Sequence, residues 1–255
     1  MNQDPSKPQQ LDQPTPAGLL LVDKQQGFTS MDVCAILRSR LRRAGPHVPK
    51  RIKVGHAGTL DPMATGLLIV LVGKATRLCN ALMADTKVYE ATIDLAHTST
   101  TDDAEGELTA VAAPSPLPTR EGIEKAIAAE FVGTIMQRPP NFSAINVGGK
   151  RAYDLARADK PVELAARPIR VDSFEVLEYA WPVLRVRVTS GKGTYIRSLA
   201  RDLGRALNAG GMLTQLRRTR CGEFDIANAH TLDELPDPIT QVDLLPMPAL
   251  PPPVV

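Results

Sequence analysis

Residues 55–66 read Gly55-His56-Ala57-Gly58-Thr59-Leu60-Asp61-Pro62-Met63-Ala64-Thr65-Gly66, and the six residues that follow, Leu67 to Val72, are all apolar. A run of that length beside glycine and proline has the pattern of a buried strand. It is far shorter than the ~20 residues that a membrane span requires. Three glycines and a proline in the 12 preceding residues describe a shaped loop held against that strand. Loops on rigid scaffolds are where reacting groups concentrate. This one offers a single carboxylate, Asp61, and a single imidazole, His56. Taken alone, Asp61 before Pro62 reads more readily as a turn cap than as a reacting group.

Working outward, the chain divides into short, mixed elements. Gly18 to Asp23 reads as a buried strand. Thr29 and Asp32 have capping-box spacing at the head of a helix that runs to about Arg43, with Val33, Ile36, Leu37 and Leu41 on its apolar face. Lys74–Met83 reads as a short helix and Val88–Leu95 as a half-buried strand. Thr119 opens a helix that ends near Gly133. Residues 138–166 lack a sustained period and read as a long loop with one helical turn near Tyr153. Loops that long inside a domain are usually functional. Strands are expected at about 168–179, 183–189 and 213–220, and a helix over 194–207. Helices and strands without regular β-α-β alternation predict an α+β fold. The expected organisation is a tail over 1–16, one domain over 17–235 and a proline-rich tail over 236–255.

Length and composition narrow the classes. The chain has 255 residues, 43% hydrophobic and 23% charged, which suits an ordinary globular protein. Three scattered cysteines (Cys34, Cys79, Cys221) make neither a disulfide framework nor a zinc site. The first 16 residues have no apolar core and so no signal-peptide pattern. The expectation is a cytoplasmic, monomeric protein without a membrane segment. Gly191-Lys192-Gly193-Thr194 lacks phosphate-loop spacing, no dinucleotide fingerprint occurs, and the four histidines form no ligand set, so no cofactor and no metal are expected.

The net charge of +2 is uninformative, but its distribution is not. Residues 38–53 hold seven basic residues and no acid, and residues 185–220 hold nine against one. Residues 221–255 hold six acids and no Lys or Arg. Such segregation, with arginine dominant, suggests a face for a polyanion such as nucleic acid.

The segment GHAGTLDPMATGLL is similar to the signature of the TruB family of tRNA pseudouridine synthases. Further motifs resemble the family's in the same order: Lys87-x-Tyr89-x-Ala91-Thr92-Ile93 with Thr98-x-Thr100-x-Asp102, Pro139-Pro140-Asn141-Phe142-Ser143-Ala144 with Gly149-x-Arg151-x-Tyr153, Lys192-Gly193-Thr194-Tyr195-Ile196-Arg197-Ser198-Leu199, and Leu213-x-x-Leu216-Arg217-Arg218. The resemblance covers roughly residues 17–225. Phe142 stands where many members have Tyr, and Asn146 where many have Lys.

The resemblance implies the pseudouridine synthase fold, a mixed, mainly antiparallel central sheet flanked by helices and loops, with 138–166 as an RNA-gripping insertion. It implies isomerisation of a uridine in the tRNA T-loop (position 55) to pseudouridine. Asp61 matches the catalytic aspartate, with Arg197 as its partner. Tyr89 matches the tyrosine that stacks on the flipped uracil. Tyr195 and Leu216 match the other pocket residues, and His56 the histidine near the extruded base. Lys192, Arg217, Arg218 and Arg151 are expected on the RNA backbone. Asp61 is taken as the nucleophile, and attack on the sugar, attack on the ring and removal of a sugar proton all remain open to it. An arginine beside a buried carboxylate is expected to keep it charged. The chain ends before a complete PUA domain, so no guide RNA is expected. The rival readings are a non-catalytic tRNA-binding or folding protein and a synthase for another RNA.

Overall fold

The computed structural model describes residues 14–143, 146–147, 150–151 and 164–248, without the side chains of 146, 147, 150 and 151. In chain order the elements are β1 (Gly18–Lys24), α1 (Ser30–Arg43), β2 (Val54–His56), β3 (Thr65–Val72), α2 (Cys79–Ala84), β4 (Lys87–Asp94), β5 (His97–Ser99), β6 (Leu108–Ala110), α3 (Arg120–Glu130), β7 (Gly133–Gln137), β8 (Asn146–Val147), β9 (Lys150–Arg151), β10 (Arg167–Ala180), β11 (Val183–Ser190), α4 (Ile196–Ala206), β12 (Met212–Cys221) and β13 (Phe224–Asp225).

Nine strands form the central sheet. Its order is β1-β3-β12-β4-β11-β10-β7, with β2 added to β3 and β13 to β12. Every pairing is antiparallel except β12 with β3, which run parallel through Arg217↔Thr65 and Arg218↔Gly66. The expected mixed, mainly antiparallel α+β architecture is what the chain adopts. β5–β6 and β8–β9 form two small hairpins beside the sheet.

The apolar run of β3 has a physical reason. Leu68, Val70 and Val72 face a core shared with α1, α3 and α4, while Leu67, Ile69 and Leu71 face a second cluster with Leu19, Leu21 and Leu82. Burial on both faces removes the alternation that a one-sided strand shows. β4 keeps that alternation, with Ala91 and Ile93 inward and Glu90 and Thr92 outside the buried class. α1 begins with both halves of the capping box, Thr29 bonding Asp32 N and Asp32 bonding Thr29 N. It buries Val33, Cys34, Leu37 and Leu41 and ends in Arg40, Arg42 and Arg43, where cations suit the helix dipole.

Three expectations differ from the structure. Lys74–Met83 is a 3-10 turn (Gly73–Leu78) followed by the short α2. The loop expected over 138–166 contains the β8–β9 hairpin, and the helical turn near Tyr153 lies outside the described residues. The tail expected from residue 236 is packed as far as Leu245. Ile239 is fully buried and Leu244 nearly so. Leu245 exchanges two backbone hydrogen bonds with Leu19, of 2.9 and 3.0 Å. Arg40 donates to Leu232 O (2.6 Å) and Leu235 O (2.9 Å), and Arg43 grips Asp237 at 2.5–2.6 Å. The few apolar residues between the prolines, and the acids among them, hold the segment on β1 and α1. The acidic C-terminal stretch thus covers part of the basic run after residue 38.

Truncating the buried Ile239 to alanine should cost about 2–5 kcal/mol, as for other core aliphatics. Denaturant unfolding of Ile239→Ala would check this, and a wild-type midpoint would mean that the segment is not part of the folded unit.

Candidate active site

Residues 57–64 form a loop between β2 and β3, fixed along its length. Ala57 N donates to Ile69 O (2.9 Å), and Ala64 N to Asp61 O (3.1 Å). The buried hydroxyl of Ser30 on α1 donates to Leu60 O (3.2 Å) and accepts from Leu60 N (2.9 Å). Pro62 O accepts from Gly27 N (2.9 Å). The loop turns through Gly58 (φ +98°) and Gly66 (φ +101°), a region L side chains rarely adopt.

This loop presents Asp61 with its side chain 34% exposed, open on one side and enclosed on the rest. Arg197, in the first turn of α4 and only 6% exposed, places Nη2 2.9 Å from Asp61 Oδ2. The same guanidinium lies 3.3 Å from the buried Asp103 Oδ2. It also donates to Thr101 O (3.1 Å) and Phe142 O (2.9 Å).

Arg197 is therefore shared by two carboxylates, and this changes the expected electrostatics. Burial pushes the Asp61 carboxyl above its ordinary value. Arg197 opposes that, but Asp103 adds to it. Arg197 opposes the shift as expected, and burial is the larger influence on the carboxyl.

Sequence reasoning missed Lys24, which is fully buried. Its Nζ donates to Phe28 O (2.7 Å), Gln25 O (3.1 Å) and Pro62 O (3.4 Å). Burial lowers its pKa to about 8, with the Asp61 charge the largest opposing influence. Asp103 was also missed as a partner of Arg197. A lysine directly after a buried strand and an acid beside Asp102 were the available signals.

The other expected residues separate into groups. Tyr89 pairs with Val188 and Arg218 across the sheet, and Ala91 with Leu216, so Tyr89, Leu216 and Arg218 share one face. Leu216 is core, and Tyr89 is half-buried against the core. His56 ends β2, and burial, followed by the Arg218 charge, holds its imidazole below the ordinary value. Tyr195 caps α4. Its backbone is bonded in both directions by the buried Gln137 side chain (2.9 and 3.0 Å), and the Arg167 guanidinium lies 5.4 Å over its ring. Lys192 is exposed.

Arg217 projects from the opposite face to Leu216 and Arg218, and its guanidinium grips Asp23 at 2.7 and 3.0 Å. The Arg151 side chain lies outside the described residues. Arg218 requires a correction. At 1% exposure it is sealed inside the molecule and cannot meet an RNA phosphate. Its strand alternates, and the same alternation that buries Leu216 buries Arg218. An open cavity of about 480 Å³ elsewhere is lined by Arg38, Arg42, Arg51 and Lys53. Among the described residues, no helix is long and apolar enough to cross a membrane, and no three His, Cys, Asp or Glu side chains are grouped to hold a metal.

Comparison with known proteins agrees with this geometry. Residues 47–196 match the model of the TruB family pseudouridylate synthase N-terminal domain, and residues 197–244 match that of the tRNA pseudouridylate synthase B C-terminal domain. A tRNA pseudouridine synthase B of Corynebacterium aurimucosum is 49% identical over 225 residues, covering 87% of this chain and 72% of that protein. One from Bifidobacterium longum is 44% identical over 256 residues, covering 82% of this chain, which spans only 64% of that relative's length. Among solved structures, a Cbf5-Nop10-Gar1 complex aligns with a TM-score of 0.63 at 32% identity, covering 86% of this chain and 53% of the matched one. An H/ACA RNP bound to a substrate RNA containing 2'-deoxyuridine aligns at 0.58 and 28% identity, covering 87% and 56%. The fold is thus one shared with a chain of an H/ACA RNP bound to a substrate RNA. The chain belongs to the TruB family of pseudouridylate synthases.

The shared guanidinium predicts opposite shifts in two variants. Asp103→Asn removes a like charge, so the Asp61 pKa should fall. Arg197→Met removes the counter-charge, so it should rise further. Carboxyl ¹³C NMR titration of Asp61 checks both directions, and equal pKa values in all three proteins would refute the coupling.

Proposed function

We propose that the protein isomerises a uridine in the T-loop of tRNA, at position 55, to pseudouridine, with no cofactor. The observation that carries the reading is the Asp61–Arg197 pair of 2.9 Å, fixed from beneath and open on one side to an incoming group. The names of relatives 44–49% identical support tRNA as the substrate. The RNP structures are more distant, at 28–32% identity, which favours action on tRNA without a guide RNA.

The chemistry breaks the N1–C1′ bond, turns the uracil and joins C5 to C1′. The hydrogen on C5 leaves to solvent and N1 takes one up, so no electrons are exchanged. The reacting base must leave its stack. Tyr89 supplies an aromatic platform, and base–aromatic stacking contributes about 1–3 kcal/mol. Asp61 acts in ionised form, as nucleophile or base, with Arg197 balancing its charge. Tyr195 and Leu216 complete the pocket, and His56 lies beside the extruded nucleotide. Insertion 138–166, including Arg151, grips the RNA, and Lys192 and the cavity of Arg42, Arg51 and Lys53 contact phosphates, which position the RNA without reading sequence.

Tritium release from a tRNA transcript carrying 5-tritiated uridine checks the proposal. Wild type should release close to one equivalent per tRNA, and Asp61→Ala none above background. Binding without release by the wild type would favour a tRNA-binding protein, and release by Asp61→Ala would remove the aspartate from the mechanism.

A further inference from the structure

We infer that Arg218 is a positioning residue, a buried cation that clamps both ends of the loop carrying Asp61. The inference rests on the reading of Asp61 as the reacting group. Arg218 Nη2 donates to Gly58 O (3.1 Å), and Nε donates to Leu67 O (2.7 Å), the residue after Gly66. One guanidinium therefore spans from the loop's first turn to the strand that receives its end. A planar fork makes two such bonds at once, which an ammonium on a flexible stem cannot match in geometry.

The two positive-φ glycines of the loop are both shaped around Arg218. A Cβ on Gly58 would lie 3.3 Å from Arg218 Nη1. A Cβ on Gly66 would collide with the Arg218 backbone, meeting its carbonyl oxygen and coming within 2.8 Å of its nitrogen. The parallel register Arg218↔Gly66 sets this contact. The arginine side chain is what Gly58 O and Leu67 O call for, whereas the backbone that crowds Gly66 is the same for any residue at 218.

The charge is also uncompensated. Among the described residues, no carboxylate forms an ion pair with Arg218. Its field falls instead on Lys24 and His56, lowering both. A buried, unpaired cation is costly, and directional bonds to loop carbonyls are what it provides in return. Arg217, its neighbour, faces outward and is bound to Asp23, so the clamp belongs to Arg218 alone of this pair.

The test uses the full chain with Arg218→Met and Arg218→Lys. Three quantities are read: Kd for a tRNA transcript across a salt series, the single-turnover rate of tritium release at saturating tRNA, and hydrogen exchange of peptides spanning 55–66. Expected for Arg218→Met is a Kd and salt slope within about twofold of wild type, a rate lower by about 10²-fold, and faster exchange confined to the loop; a misplacement of 1 Å has a kinetic effect of that size. Arg218→Lys should restore part of the rate. A weaker Kd, with a salt slope shallower by ~0.7–0.9 and an unchanged saturating rate, would overturn the inference in favour of a phosphate contact. Unchanged loop exchange and rate would overturn it in favour of a space-filling role. Should Arg218→Met fail to fold, Arg218→Lys, which keeps the charge and loses the planar fork, must itself release tritium more slowly than wild type with tRNA binding unchanged. If wild type itself releases no tritium, the proposed activity fails, and loop exchange alone decides the clamp.

Discussion

The Arg197 guanidinium is the junction on which the site depends. It touches four oxygens from three parts of the chain: Asp61 in the loop after β2, Thr101 and Asp103 after β5, and Phe142 at the root of the insertion. α4 presents it rigidly because Ile196, Leu199, Ala200 and Leu203 lock the helix into the core. Neighbours on α4 add to the same seam, with Ser198 and Arg201 both donating to Arg138 O. A change at the root of the insertion therefore reaches Asp61 through a single side chain. Charged hydrogen bonds of this kind are stronger than neutral ones, and loss of one partner leaves the others buried and unsatisfied.

Around that junction the site is a balance of buried charges. Asp61, Asp103 and Glu105 lie near Arg197 and Lys24, and burial raises the pKa of Asp61 and Glu105 while lowering that of Lys24. Asp61, Glu105 and Lys24 each move toward the neutral form, and each is partly held back by opposite charges. Proton affinities drawn toward neutrality are what a general acid or base requires. The same low-dielectric setting makes the arrangement sensitive to any change in a neighbour.

Much of this was legible because local signals agreed with the fold. The Thr29–Asp32 box, the apolar stripe of α1 and the unbroken run of β3 located the first third of the sheet, and the ordered motifs brought Asp61 and Arg197 together. The short strands β2, β5, β6 and β7 were not legible, since three to five residues carry too little periodicity. Packing of residues 236–245 was hidden by prolines, which mask the isolated Ile239 and Leu244. Arg218 was misread because charge was weighed above strand alternation. Leu216 was expected in the pocket, and two residues along a strand lies the same face.

The parallel join of β12 to β3 has a consequence in time. Residues 66 and 218 meet across more than half the chain, and the bond from Arg218 to Gly58 closes a separation of 160 residues. Local elements such as α1 can form as they leave the ribosome, but the seat of Asp61 is finished only when the last long strand slots between β3 and β4. Contacts of such sequence separation form late and slowly. Completion of the Asp61 site is thereby tied to completion of the sheet, and a half-made chain lacks the set of groups that surrounds it.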